Sequence, residues 1–149
     1  MSKINVCVEI DASAEAVFDV VANIENSHQH IEGIEKIEML TDGDVGVGTK
    51  WRETRVMMKR ESTEEMEITS FERPSHYSVY CDSAGYDMEW TMRVEALNEG
   101  SKLSLNMSSK PRTIIGKIMT PVEWLMVAVW AKKCVVKDLD DIKAFIEAQ

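Results

Sequence analysis

Alternation of apolar and polar residues dominates the middle of the chain. Tyr86, Met88, Trp90, Met92 and Val94 alternate with Asp87, Glu89, Thr91, Arg93 and Glu95, the period of a strand with one buried face. The same period of two runs through 3–10, where Ile4, Val6, Val8 and Ile10 are apolar, through Tyr77, Val79 and Cys81, and through Leu103, Leu105 and Met107. Residues 34–40, 49–57 and 62–70 complete the strands, parted by turn signals such as Thr41-Asp42-Gly43-Asp44, Ser83-Ala84-Gly85 and Asn98-Glu99-Gly100. Between the first two strands the period becomes helical. Ser13 is placed to cap a helix over 14–22 with an inner stripe of Ala14, Val17, Phe18 and Val21, and 23–30 forms a second short helix or a turn.

The end of the chain, 120–148, is one long helix. Thr120 caps, Pro121 takes the first helical position, and Glu123 reaches back to the capping residue. At 1.5 Å per residue it spans about 40 Å. Trp124, Ala128, Ala131, Val135, Leu139, Ile142 and Ile146 share one face, with Lys133, Lys137, Asp140 and Glu147 opposite. The first three turns are apolar on the outer face too, through Val122, Met126, Val129 and Trp130. That predicts a cover for this part of the helix. Two alanines on the inner face, Ala128 and Ala131, leave room against whatever packs there.

Consecutive strands with short turns form an antiparallel meander, and one-sided alternation means one buried face. The fold class is therefore α+β: a curved antiparallel sheet of about seven strands, two short helices after the first, and a long C-terminal helix plugging the concave face.

Residues 49–57 and 62–70 read as a hairpin turning near Lys59-Arg60. Pairing Met58 with Glu61 places Arg55 opposite Glu64, Glu53 opposite Met66, and Trp51 opposite Ile68. The apolar members mark the inner face, which brings Glu53, Arg55 and Glu64 inside with them. Charged groups there must pair or meet water or ligand, because burying one alone costs several kcal/mol. Arg52 and Glu67, with Thr54 and Glu65, fall on the solvated face.

Composition narrows the function. With 149 residues the chain is one domain, 1–149, large enough to bury a core. A formal charge of -9 argues against a nucleic-acid surface and against attraction to anionic lipid. Three dispersed cysteines, Cys7, Cys81 and Cys134, read as reduced thiols in a cytoplasmic protein, and no apolar run is long enough to span a membrane. Ten methionines are adaptable filler for cores and for pockets that accept varied ligands. No cofactor is implied: the glycines at 46 and 48 match no nucleotide loop. No metal is implied either, because His28 and His30 lack a third ligand and read as part of a polar surface loop.

In its strand and helix order the chain resembles the START-like (helix-grip) superfamily, within it the polyketide cyclase/dehydrase and lipid-transport group. The resemblance rests on Ile10-Asp11-Ala12-Ser13-Ala14-Glu15-Ala16-Val17-Phe18, Val47-Gly48-Thr49, Phe71-Glu72-Arg73-Pro74, and Asp138-Leu139 with Lys143 in the last helix. It implies a cavity between sheet and C-terminal helix. The expectation that follows is a binding site for a small, mostly apolar molecule. Trp51, Met66, Tyr77, Trp90, Met92 and Met107 form its wall beside Ala128 and Ala131, and Glu53, Arg55 and Glu64 orient a polar group. An alternative is a cyclase/aromatase-type enzyme, with Glu64 or Glu53 as general acid or base and Arg55 stabilising an enolate. A third is an interaction module, including a homodimer through Met126, Val129 and Trp130, unless the apolar segment 113–119 folds back over them.

Overall fold

Ser13 starts the first helix: its hydroxyl accepts a hydrogen bond from the Ala16 N–H at 3.2 Å. The computed structural model describes residues 2–57, 59–83, 85–112 and 121–149. In chain order the elements are β1 (Ser2–Ile10), α1 (Ala14–Val21), a 3-10 helix (Ile24–Gln29), β2 (Ile34–Met39) and β3 (Lys50–Met57). There follow β4 (Arg60–Glu72), β5 (His76–Ser83), β6 (Tyr86–Ala96), β7 (Ser101–Pro111) and α2 (Pro121–Glu147). The strands form a seven-stranded antiparallel sheet in the order β1-β7-β6-β5-β4-β3-β2. The fold is α+β. The meander of β2 to β7 is as the alternation predicts, and β1 completes it by pairing with the last strand, Ile10 opposite Ser101.

That closure relies on Gly100. Its φ is +76, and a Cβ there would sit 2.5 Å from the Ile10 carbonyl oxygen, so only glycine lets the β6–β7 turn lie against the end of β1.

The β3–β4 hairpin keeps its expected faces and departs from its expected register. Met57 pairs with Arg60, so the turn lies one residue earlier and every pairing moves by two. A shift of two preserves the face of each side chain. Trp51 lies opposite Met66, Glu53 opposite Glu64, and Arg55 opposite Ser62. On the outer face Arg52 lies opposite Glu65, and its 3.7 Å ion pair is with Glu38 of β2. The turn was hidden because Lys59 takes a left-handed φ of 65, a conformation usually announced by Gly, Asn or Asp. The consequence is two carboxylates face to face on the inner side, an unfavourable pair unless a cation joins them.

The core lies between the concave side of the sheet and the helices. Val17 and Phe18 of α1, Ile68, Val79 and Leu103 of the sheet, and Leu139 and Ile142 of α2 are almost wholly buried. Each buried side chain of this size stabilises by about 1.5–3 kcal/mol. The C-terminal half of α2 is also tied at its edges. Lys143 donates to the Glu9 carbonyl, Glu147 accepts from the Asp11 N–H at 2.9 Å, and Lys137 bridges Glu32 and Asp141.

The N-terminal half is different. Val122 and Met126 are each 68% exposed and Val129 is 49% exposed, so the cover predicted for this face is not supplied by the described residues. The fold-back expected of 113–119, the cap expected of Thr120 and the side chain of Trp124 lie outside the described residues. Among the described residues no helix is long and apolar enough to cross a membrane.

Candidate functional site

Between the sheet and α2 lies a cavity of about 230 Å³. Its walls come from the inward side chains of β3 to β7, from α1 and the 3-10 helix with the residues after it, and from one face of α2. Of the residues expected there, the structure places Trp51, Glu53, Arg55, Glu64, Met66, Tyr77, Trp90, Met92, Met107 and Ala131 on the wall. Ala128 is not among them: it is half-buried one turn earlier, beyond the stretch of α2 that borders the space. Trp130 requires the opposite correction. Expected on the outer face with Met126 and Val129, it lines the cavity beside Ala131, because an indole one step off the inner stripe is long enough to reach in.

The polar part of the wall is an ion cluster built across sheet and helix. Arg55 Nε donates to Glu53 Oε2 at 2.8 Å, while Nη2 and Nη1 donate to Asp138 Oδ2 and Oδ1 at 2.7 and 3.3 Å. The forked pairing with Asp138 is the geometry that suits guanidinium and carboxylate best. Glu53 is 8% exposed and also accepts a long 3.5 Å contact from Trp51 Nε1. Gly33 makes space for this cluster: a Cβ there would come within 3.2 Å of Arg55 Nη1 and 3.7 Å of Asp138 Oδ1.

The electrostatics follow from burial and these contacts. Burial works against the Arg55 charge, but Glu53 and Asp138 outweigh it and hold the guanidinium protonated above its ordinary range. Burial pushes the Asp138 carboxyl up, and Arg55 offsets part of that rise. Glu64 stands apart. Its Oε1 accepts from the Ser83 and Ser62 hydroxyls at 2.9 and 3.3 Å, and among the described residues no cation lies within ion-pair distance.

The other polar wall groups are quiet. The Tyr77 hydroxyl donates to the Val21 carbonyl at 2.8 Å, and burial, then the Glu53 charge, push its pKa up, so it is a structural tie between β5 and α1. Burial, with Glu64, Glu53 and Asp82, pushes the Cys81 thiol up to about 12, which removes it as a nucleophile. Cys134 is raised too, by burial and by Asp138, with Arg55 opposing. His30 lines the cavity rather than a surface loop, its ring tilted against Phe145 at 5.0 Å, and burial with nearby His28 lowers its pKa. Among the described residues no group of three or more His, Cys, Asp or Glu side chains is placed to hold a metal.

Asp138, His30 and Cys134 are wall residues that the sequence did not assign to the site. The signal for Asp138 was present. It lies seven residues after Ala131 and three after Val135, on the same helical stripe, and a charge on an inner stripe demands a partner. For His30 no periodic signal exists, because the 3-10 helix before it is too short to show one.

Comparison with known proteins agrees with this architecture. A protein of Thermus thermophilus superposes with a TM-score of 0.82 at 16% identity, covering 99% of this chain and 98% of that one. A START superfamily protein from Mycobacterium smegmatis gives 0.81 at 15% identity, covering 98% and 97%. The Zhui aromatase/cyclase from Streptomyces sp. R1128 gives 0.77 at 18% identity, covering 98% and 93%. At such identities the likeness is one of fold. Among proteins of curated function none matches the sequence significantly. The family described as polyketide cyclase / dehydrase and lipid transport matches residues 1–147, and to that family this chain belongs.

Proposed function

We propose that this protein binds a small, mostly apolar molecule in the cavity between sheet and α2. The observation that carries the reading is the cavity itself: about 230 Å³, walled by Met66, Trp90, Met92, Met107 and Leu105, with charge confined to Glu53, Arg55, Glu64 and Asp138. That is the composition of a ligand pocket, apolar surface with a few placed polar groups. An apolar cavity of about 150 Å³ accepts benzene, so this one suits a molecule of one or two rings or a short alkyl chain.

The test is native mass spectrometry of the protein as purified and after incubation with small aromatic and alkyl compounds. Stoichiometric retention is expected in the wild type and lost in Ala131→Leu, whose side chain fills part of the space. If the leucine variant instead loses about 1–3 kcal/mol of stability, the site was already packed and the pocket reading fails.

A second reading, a cyclase-type enzyme, draws support from one contact set. Glu64 faces the cavity with hydroxyl partners and no cation among the described residues, so it is the carboxylate best placed to move a proton. Glu53 is less suited to that role, because Arg55 holds it at 2.8 Å. Arg55, already joined to two carboxylates, is likewise poorly placed to stabilise an enolate. Turnover of a poly-β-ketone substrate that disappears in Glu64→Gln would favour this reading over simple binding.

A further inference from the structure

The charges on the cavity wall are unbalanced in a way that bears on which molecules enter. Three carboxylates, Glu53, Glu64 and Asp138, face one guanidinium. Arg55 commits three N–H groups to Glu53 and Asp138, so its charge is more than neutralised before any ligand arrives. Burial and nearby His28 lower the His30 pKa, which favours its neutral form. Among the described lining residues, then, no guanidinium or ammonium lacks a carboxylate partner. Glu64 is the complement of that: both serine hydroxyls donate to Oε1, and no described residue donates to Oε2. A chain charge of -9 biases arrival in the same direction.

Resting on the binding reading above, we propose that the cavity selects molecules whose polar end donates hydrogen bonds or carries positive charge, amines above all, and rejects carboxylates such as fatty acids. The apolar body lies against Met66, Trp90, Met92 and Met107, which share the inner face with Glu64. The polar end meets Glu64 Oε2. A carboxylate in that position sets like charges together in a partly buried site with no cation between them, a costly arrangement.

Three probes of equal length and different head group test this: octylamine, octanol and octanoate, titrated into the whole protein near neutral pH with binding read by calorimetry. Trp51, Trp90 and Trp130 on the wall provide a second readout by fluorescence. The expected order is amine, then alcohol, then acid, with about tenfold or more between amine and acid, a difference of about 1.4 kcal/mol or more. Glu64→Gln should reduce amine affinity about tenfold and leave octanol within about threefold, with the preference persisting in moderate salt because the charge is partly buried. Octanoate binding as well as octylamine overturns the proposal while leaving a binding function standing, and so does an amine preference that Glu64→Gln leaves unchanged. If octanol and both charged probes all fail to bind, the binding reading falls with it. The wild-type comparison decides the matter even if the variant does not fold.

Discussion

Replacing Arg55 with methionine removes the cation between Glu53 and Asp138 while keeping a side chain of similar reach. Deleting one partner of a buried ion pair costs about 3–5 kcal/mol, because the other charge is left uncompensated. Arg55 and Asp138 keep 24% and 15% side-chain exposure, so water screens part of that charge, whereas Glu53 keeps only 9%. The lower end of the range, about 3 kcal/mol near neutral pH, is the expected loss. For a chain of this size that corresponds to a fall in Tm of about 6–12 °C. The pH dependence has a definite sign. Without Arg55, burial, Glu53 and Asp141 all push the Asp138 carboxyl up and the main opposing influence is gone. A carboxyl whose folded pKa exceeds its unfolded value binds more protons when folded, so stability falls as pH rises between the two. The deficit of the variant is therefore full above the folded pKa and shrinks as pH falls toward the unfolded value of about 3.9. Urea unfolding of wild type and variant, followed by circular dichroism across this pH range, measures it. A difference within about 0.5 kcal/mol at neutral pH would mean the cluster behaves as an exposed pair, and a deficit that grows on acidification would refute the charge argument.

Other perturbations probe separate links. Tyr77→Phe removes the hydroxyl that reaches the Val21 carbonyl at 2.8 Å, and thermal melts should show a loss of about 1–3 kcal/mol from the carbonyl left behind. An unchanged Tm would show that the carbonyl finds another donor. Gly33→Ala places a Cβ 3.2 Å from Arg55 Nη1 and should cost about 1 kcal/mol by crowding the guanidinium. That cost should vanish in the Arg55→Met background, and a cycle showing simple additivity would contradict the contact. The exposed side of α2 predicts self-association through Met126 and Val129, so sedimentation should show a dimer that Met126→Glu converts to monomer. Two monomers at high concentration would exclude it. Met126 is the right position to change because Trp130 faces the cavity instead.

Strand and helix identities were legible because they depend on local period. Tyr86 to Val94 alternate whatever they pack against, and Val135, Leu139, Ile142 and Ile146 form a stripe before any sheet is present. The inward placement of Glu53, Arg55 and Glu64 was legible for the same reason: the period of two assigns faces even when the register is displaced by two. Which charges meet was not legible. It depended on a turn whose left-handed residue is Lys59, and on a helix 83 residues further along the chain that brings Asp138 to Arg55. Periodicity likewise placed Trp130 on an outer face, because a helical wheel records directions and not the reach of an indole. Sequence by itself thus determined the elements, their faces and the presence of charge inside. Only the tertiary structure decided the partners, because ion pairs form between atoms whose separation in space is unrelated to their separation in sequence.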